Sequence, residues 1–151
     1  MGIEEKAREL HASSIIIDGL VISRWTEEFF LHLRQGGLTA INATLATLEG
    51  FKEVTLQFAR WYQLIEQYHS LIMPITSVED IRRAKELGKT GIIFGFQNTT
   101  PIEDQLDYLS IFHKLGVRII QLTYMEANYV GDGCLEKRNG GLTTFGLEVI
   151  E

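Results

Sequence analysis

Gly91-Ile92-Ile93-Phe94-Gly95-Phe96-Gln97 is a nearly continuous apolar run that ends in a polar residue. A strand with one wet face alternates apolar and polar side chains, so an unbroken run predicts a strand covered on both faces, as in parallel sheets. Its flanks show how it is connected. Upstream, Ser77-Val78-Glu79-Asp80 has the pattern of a helix-opening capping box, Val78, Ile81 and Ala84 recur on one helical face, and Gly88 closes the helix. Downstream, Thr100-Pro101-Ile102-Glu103 joins an N-cap residue, a proline at the first helical position and a box glutamate, which predicts one helix running to Leu115 before Gly116. Val117 to Thr123 is then the next strand.

The same alternation holds further out. Ser14 to Asp18 is short, β-branched and followed by Gly19, which predicts a buried strand ending near Asp18. Thr26 reads as the N-cap of a helix that continues to about Arg34 and is stopped by Gly36-Gly37, with a strand at Leu38 to Leu45 after it. Phe51, Val54, Phe58, Trp61, Ile65 and Tyr68 recur at helical spacing and mark the longest helix. Past Thr123 a glycine-rich loop leads through Gly140-Gly141 to an apolar helical start at Phe145 to Ile150.

Strands separated by helices predict an α/β fold of parallel (β/α) units. A doubly wound open sheet usually carries a glycine-rich phosphate loop after its first strand, whereas Asp18-Gly19-Leu20-Val21-Ile22 has one glycine among bulky aliphatics. A barrel of eight such units takes about 250 residues. The expectation for the 151 residues is therefore a single partial domain, 1–151, forming the N-terminal half of a TIM (β/α)8 barrel.

Composition narrows the partners. With 45% hydrophobic residues the chain can bury a real core, and a net charge of −6 leaves no basic stripe for a phosphate backbone, so nucleic acid is not expected as a partner. No apolar run approaches the roughly 20 residues that span a bilayer, and the first residues carry no export signal, so no membrane association is expected. One cysteine, Cys134, permits no internal disulfide and fits a reducing compartment, hence a cytoplasmic location. Asn42-Ala43-Thr44 and Asn98-Thr99-Thr100 match the glycosylation triplet, but no export signal supports its use.

Four segments in register resemble the membrane dipeptidase family of zinc metallopeptidases. They are Ile17-Asp18-Gly19 with the residues after it, Leu33-Arg34-Gln35-Gly36-Gly37-Leu38, the run from Ser77 through Ile81 to Gly91, and Gly140-Gly141-Leu142-Thr143-Thr144-Phe145-Gly146-Leu147-Glu148-Val149-Ile150. The resemblance implies a (β/α)8 barrel that cleaves dipeptides or other small amides, with two zinc ions at the C-terminal ends of the strands. It also implies that the His-x-Asp pair of the first strand falls on Leu20 and Ile22, that the bridging glutamate falls on Gln97, and that the histidine polarising the substrate falls on Tyr124. Leu20 and Ile22 have no lone pair to give, and the Gln97 amide lacks the charge that offsets repulsion between two cations. No metal is therefore expected on these residues alone, although zinc is expected for the family. The family's other zinc-binding histidines belong to the second half of its barrel.

The candidate substrate-binding residues are Gln97, Asn98, Tyr124 and Asn128, with Asp132 beside them; all follow strands at the face where barrel enzymes place their chemistry. The bland reading of Gln97 and Asn98 is that they bond the next loop, and that of Tyr124, Asn128 and Asp132 is solvated loop. Asp18 more often satisfies backbone donors than acts as a base. His11, His32, His69 and His113 share no metal-helix spacing and read as surface or packing residues, and Trp25 and Trp61 as core. The functional expectation is a hydrolase portion acting on a small peptide or amide, inactive by itself and supplying no catalytic nucleophile. The alternatives are a non-catalytic degenerate barrel used for binding or assembly and, more weakly, a metal-free barrel enzyme with phosphate-binding loops. Open sheet edges predict either self-association or a missing C-terminal half.

Overall fold

A computed structural model describes residues 2–151. The elements in chain order are helix α1 (Ile3–Ser13), strand β1 (Ile17–Val21), α2 (Glu27–Gln35), β2 (Ala40–Ala46), α3 (Phe51–Gln67), β3 (Ile72–Pro74), α4 (Val78–Leu87), β4 (Thr90–Phe96), a 3-10 turn (Thr100–Ile102), α5 (Asp107–Lys114), β5 (Val117–Ile120) and α6 (Thr144–Ile150). The strands hydrogen-bond in the order β1-β2-β4-β3, with β5 also on β4. Pairs β1–β2, β3–β4 and β4–β5 are parallel.

Strand β4 organises the sheet, and its register shows how. Its odd residues bond toward β2, Gly91 N–H donating to Thr39 O and Gln97 N–H to Ala46 O. Its even residues bond the other way: Thr90 N–H donates to Leu71 O and Ile92 O accepts from Ile75 near β3, then Phe96 O accepts from Gln121 after β5. The short strand β3 and strand β5 therefore share one edge of β4 in succession. All seven residues of β4 are buried, as the unbroken apolar run predicted.

The chain divides into two compact units, residues through Ala43 with Leu64–Ile93, and Thr44–Gln63 with Phe94–Glu151. In the first, Ala40, Ile75, Ala84 and Ile93 form a core with Met73 and Ile81 packed against it. Gly91 belongs to this packing because a Cβ there would meet Ile75 and Ala40. In the second, Phe58 and Trp61 of α3 and Phe112 of α5 enclose Phe94 and Phe96, with ring centroids 5.0 to 6.5 Å apart in pairs such as Phe96–Phe112 and Phe58–Phe96. The stripe read from the sequence is the face that is buried.

The caps at Thr26 and Ser77 behave as expected, and the structure adds one at Thr143. Thr26 Oγ1 accepts from Phe29 N–H, Thr143 Oγ1 from Gly146 N–H, and Ser77 and Asp80 complete a reciprocal capping box before Gly88 ends α4 in the left-handed conformation. Asp80 Oδ2 accepts from Thr76 N–H, Thr76 Oγ1 and Ser77 N–H at 2.9 to 3.0 Å. The Thr76 backbone bond and the Ser77 hydroxyl hold the Asp80 carboxyl below its ordinary value, outweighing slight desolvation. A depressed carboxyl stabilises the fold above the unfolded value and loses that contribution as pH falls through the folded one. The difference in urea midpoint between the native chain and Asp80→Ala is thus expected to be full at neutral pH and to shrink below about pH 4. A difference that stays constant into strong acid contradicts this assignment.

Three local expectations change. The first strand lies later than Ser14 to Asp18, at Ile17–Val21, because its ladder to β2 begins with Ile17 opposite Ala40, and it is largely exposed rather than buried. The last runs only from Val117 to Ile120. The single helix from Thr100 to Leu115 is instead a 3-10 turn and a separate α5, with Glu103 between them at φ 50°. Its carboxylate accepts from Phe51 N–H at 3.4 Å rather than completing a box with Thr100.

Candidate functional site

The site is built where β2, β4 and β5 end. Gln97, Asn98 and Thr99 leave β4 with only 4%, 2% and 1% of their surface exposed. Polar side chains so buried must find partners. Gln97 Nε2 donates to Thr44 Oγ1 at 3.2 Å, on the neighbouring strand β2. Thr99 Oγ1 donates to Leu122 O at 2.7 Å, just past β5.

Asn128 ties the loop after β5 to this row. Its Nδ2 lies 2.5 Å from Asn98 Oδ1, 2.9 Å from Leu122 O and 3.0 Å from Thr99 Oγ1. Its Oδ1 accepts from Val130 N–H at 2.7 Å and Gly131 N–H at 3.1 Å, an Asx turn that folds the loop on itself. Thr143 Oγ1 fastens the far end of the same loop to Tyr129 O and Val130 O. Gly146 is required there, since a Cβ would strike the Val130 carbonyl.

The structure thus joins Asn98 and Asn128 directly, links Gln97 to Thr44, and gives Tyr124 a different setting. Asn98, Thr99, Asn128, Leu48, Glu126 and Tyr129 are among the residues lining a cavity of about 510 Å³. Tyr124 lines another of about 500 Å³, with Gln121, Asp132, Cys134 and Glu136. Sequence reasoning missed Thr44, Thr99 and Glu49. Glu49 Oε2 accepts from Thr47 N–H at 2.6 Å and Leu48 N–H at 2.9 Å in the loop after β2. Partial burial works to raise this carboxyl, but the backbone N–H groups of Thr47, Glu49 and Leu48 together hold it below its ordinary value. An acid two residues beyond Thr47 in a turn was the available signal.

In the other unit, β1 ends at the positions where the resemblance puts a metal pair. Leu20 and Ile22 are 51% and 68% exposed there. Asp18 Oδ1 accepts from Leu20 N–H at 3.1 Å, the backbone role expected of it. All four histidines are exposed, as is Cys134. Among the described residues no three His, Cys, Asp or Glu side chains come together as a metal-holding group, and no helix is long and apolar enough to cross a membrane.

The profile of the membrane dipeptidase family (Peptidase family M19) matches residues 4–151. The chain belongs to this family. An amidohydrolase from Pseudomonas aeruginosa is 48% identical in sequence to this member, superposes with a TM-score of 0.92, and is matched over 95% of this chain and 44% of its own. The probable dipeptidase PvdM from the same organism superposes at 0.83 with 17% identity, over 97% of this chain and 46% of its own. Biotin synthase from Hydrogenobaculum sp. (strain Y04AAS1) is 27% identical over 123 residues, 80% of this chain and 33% of that one, too distant to show kinship. This member of the dipeptidase family therefore spans less than half the length of these two Pseudomonas aeruginosa structures. Its fold is the α/β arrangement of parallel strand–helix units that makes up part of a TIM barrel.

Proposed function

We propose that this chain is a portion of an amidohydrolase that acts on a small peptide or other small amide, and that its share of the metal site is degenerate. The observation that carries this is the buried polar row Gln97-Asn98-Thr99 at the end of β4, held against the loop of Asn128 beside a cavity of about 510 Å³. Strand-end polar groups aimed at a cavity are how barrel enzymes orient substrate. Gln97, Asn98, Tyr124 and Asn128 form the substrate-binding set. Asn98 presents polar atoms to the cavity of about 510 Å³ and Tyr124 to the separate one of about 500 Å³, where its phenol can donate a hydrogen bond to developing negative charge, and Asn128 acts by fixing the loop wall.

The residues at the expected zinc positions do not fit the metal. Leu20 and Ile22 carry only aliphatic carbon, and the Gln97 amide is neutral and engaged with Thr44. A non-catalytic degenerate barrel used for binding or assembly is the second reading, favoured by the same aliphatic pair. We place the protein in the cytoplasm and expect its open edges to be covered by self-association or by further chain.

The test is metal analysis of the purified chain, then incubation of alanylalanine and of N-methylacetamide with and without added zinc. The expected result is no stoichiometric zinc, no turnover, and weak binding of an amide. Zinc bound in a one-to-one ratio, or turnover that depends on it, overturns the degenerate site. Absence of any amide or peptide binding removes the enzyme reading and leaves the binding module.

A further inference from the structure

We infer that a cavity at the start of β2 and β4 binds a small doubly charged oxyanion of the phosphate or phosphomonoester class. The cavity measures about 270 Å³, and Arg34, Lys85 and Lys89 are among the described residues that line it, while no Asp or Glu does. All lie in the first compact unit. The chain as a whole carries a net charge of −6, so cations gathered at one cavity run against its overall balance. Like charges held together cost free energy unless an anion joins them. Among the described residues, none of these cations pairs with a carboxylate.

The backbone explains how they converge. Arg34 lies in the last turn of α2 and Lys85 in that of α4, and Lys89 follows the Gly88 cap on the way into β4. Both helices end in reversals, at Gly37 with φ 75° and at Gly88 with φ 61°, that lead directly into the neighbouring strands β2 and β4. The two lysines are half-buried, which limits how far their charges can spread apart in solvent. Thr39, also lining the cavity, is buried, and its Oγ1 accepts from Ile16 N–H at 3.1 Å, which leaves its own proton to give.

A cation at a helix C-terminus has an ordinary use, since it offsets the partial negative charge there. That use does not exhaust these cations. Each helix end carries about half an elementary charge, and its carbonyls are capped by backbone: Leu38 N–H donates to Leu33 O at 3.1 Å and Lys89 N–H to Ala84 O at 3.0 Å. The full charges of Arg34, Lys85 and Lys89 set against two such halves leave a surplus of about two. A dianion matches this surplus, whereas one carboxylate covers only half of it. Arg34 offers a planar fork suited to two oxygens of a tetrahedral anion, and the lysines act as point charges. The cavity opens at the start of the strands rather than at their C-terminal ends, where barrel enzymes place their chemistry, so the inference stands apart from the amide-acting reading.

The experiment is an NMR titration of the full 15N-labelled chain at slightly alkaline pH and constant ionic strength, with inorganic phosphate, methyl phosphate and acetate as probes. Phosphate is expected to bind about tenfold more tightly than acetate and to shift the Gly37, Leu38 and Lys89 amide signals. Lys89→Gln is expected to weaken phosphate about fivefold while the urea midpoint without phosphate stays level or rises, because like-charge repulsion is relieved. A lysine with a purely structural role would lower that midpoint. Should this variant fail to melt cooperatively, Lys85→Gln carries the same measurement of phosphate affinity. Methyl phosphate binding as tightly as phosphate assigns the site to an ester, and much weaker binding assigns it to the free ion. Equal affinity for phosphate and acetate, shifts confined to other residues, or phosphate affinity that survives both lysine substitutions overturns the proposal.

Discussion

Asn128→Ala is expected to destabilise the chain by about 3 kcal/mol and to open the wall of the 510 Å³ cavity. The substitution removes a donor shared by Asn98 Oδ1, Thr99 Oγ1 and Leu122 O, and an acceptor shared by the N–H groups of Val130 and Gly131. Each buried polar group left alone costs about 1–3 kcal/mol, but water entering from the adjoining cavity repairs some of them, so the individual costs do not add. Asn128→Asp sharpens the test. It keeps the acceptor for the Asx turn but turns a second oxygen on three acceptors, and should be at least as damaging at neutral pH. Urea denaturation gives the stability, and hydrogen exchange at the Val130 and Gly131 amides gives the local effect. If those amides keep their protection in Asn128→Ala, the residue does not organise the loop.

Phe112→Ala should be the more destructive change, at about 3–5 kcal/mol, a large share of the 5–15 kcal/mol available to a typical domain. Phe112 is fully buried on α5, with its ring 5.0 Å from that of Phe96 in an edge arrangement and 5.4 and 6.0 Å from those of Phe51 and Phe58. Deleting it leaves a cavity between two helices and β4, and removes edge-to-face contacts worth more than their area. Phe112→Leu retains most of the volume and should lose about half as much. Thermal melts of the three chains decide the matter. A loss below about 1 kcal/mol for Phe112→Ala means that the aromatic cluster relaxes around the gap and is not the keystone of this unit.

These two substitutions bear on function differently. Phe96 immediately precedes Gln97, so loosening its packing disturbs the polar row from beneath. Asn128 holds the same row from above. The neutral character of the row persists in either case, because no ionisable side chain belongs to it.

What the sequence determined by itself is what depends on residues a few positions apart. The stripe from Phe51 to Tyr68, the caps at Thr26 and Ser77, the buried run of β4 and the parallel (β/α) order all follow from periodicity and local hydrogen bonding. So does the aliphatic nature of Leu20 and Ile22, which no folding can turn into donors. Helix α1 went unread because it buries none of its residues and so carries no core-facing stripe. The tertiary structure alone decided the partnerships across long separations. Asn128 meets Asn98 over 30 positions, Gln97 meets Thr44 over 53, and Glu103 leaves its own helix start for Phe51 over 52. Propensity is a weak local preference, whereas a buried polar atom must be satisfied wherever a partner lies, so the fold overrode the local pattern at Glu103.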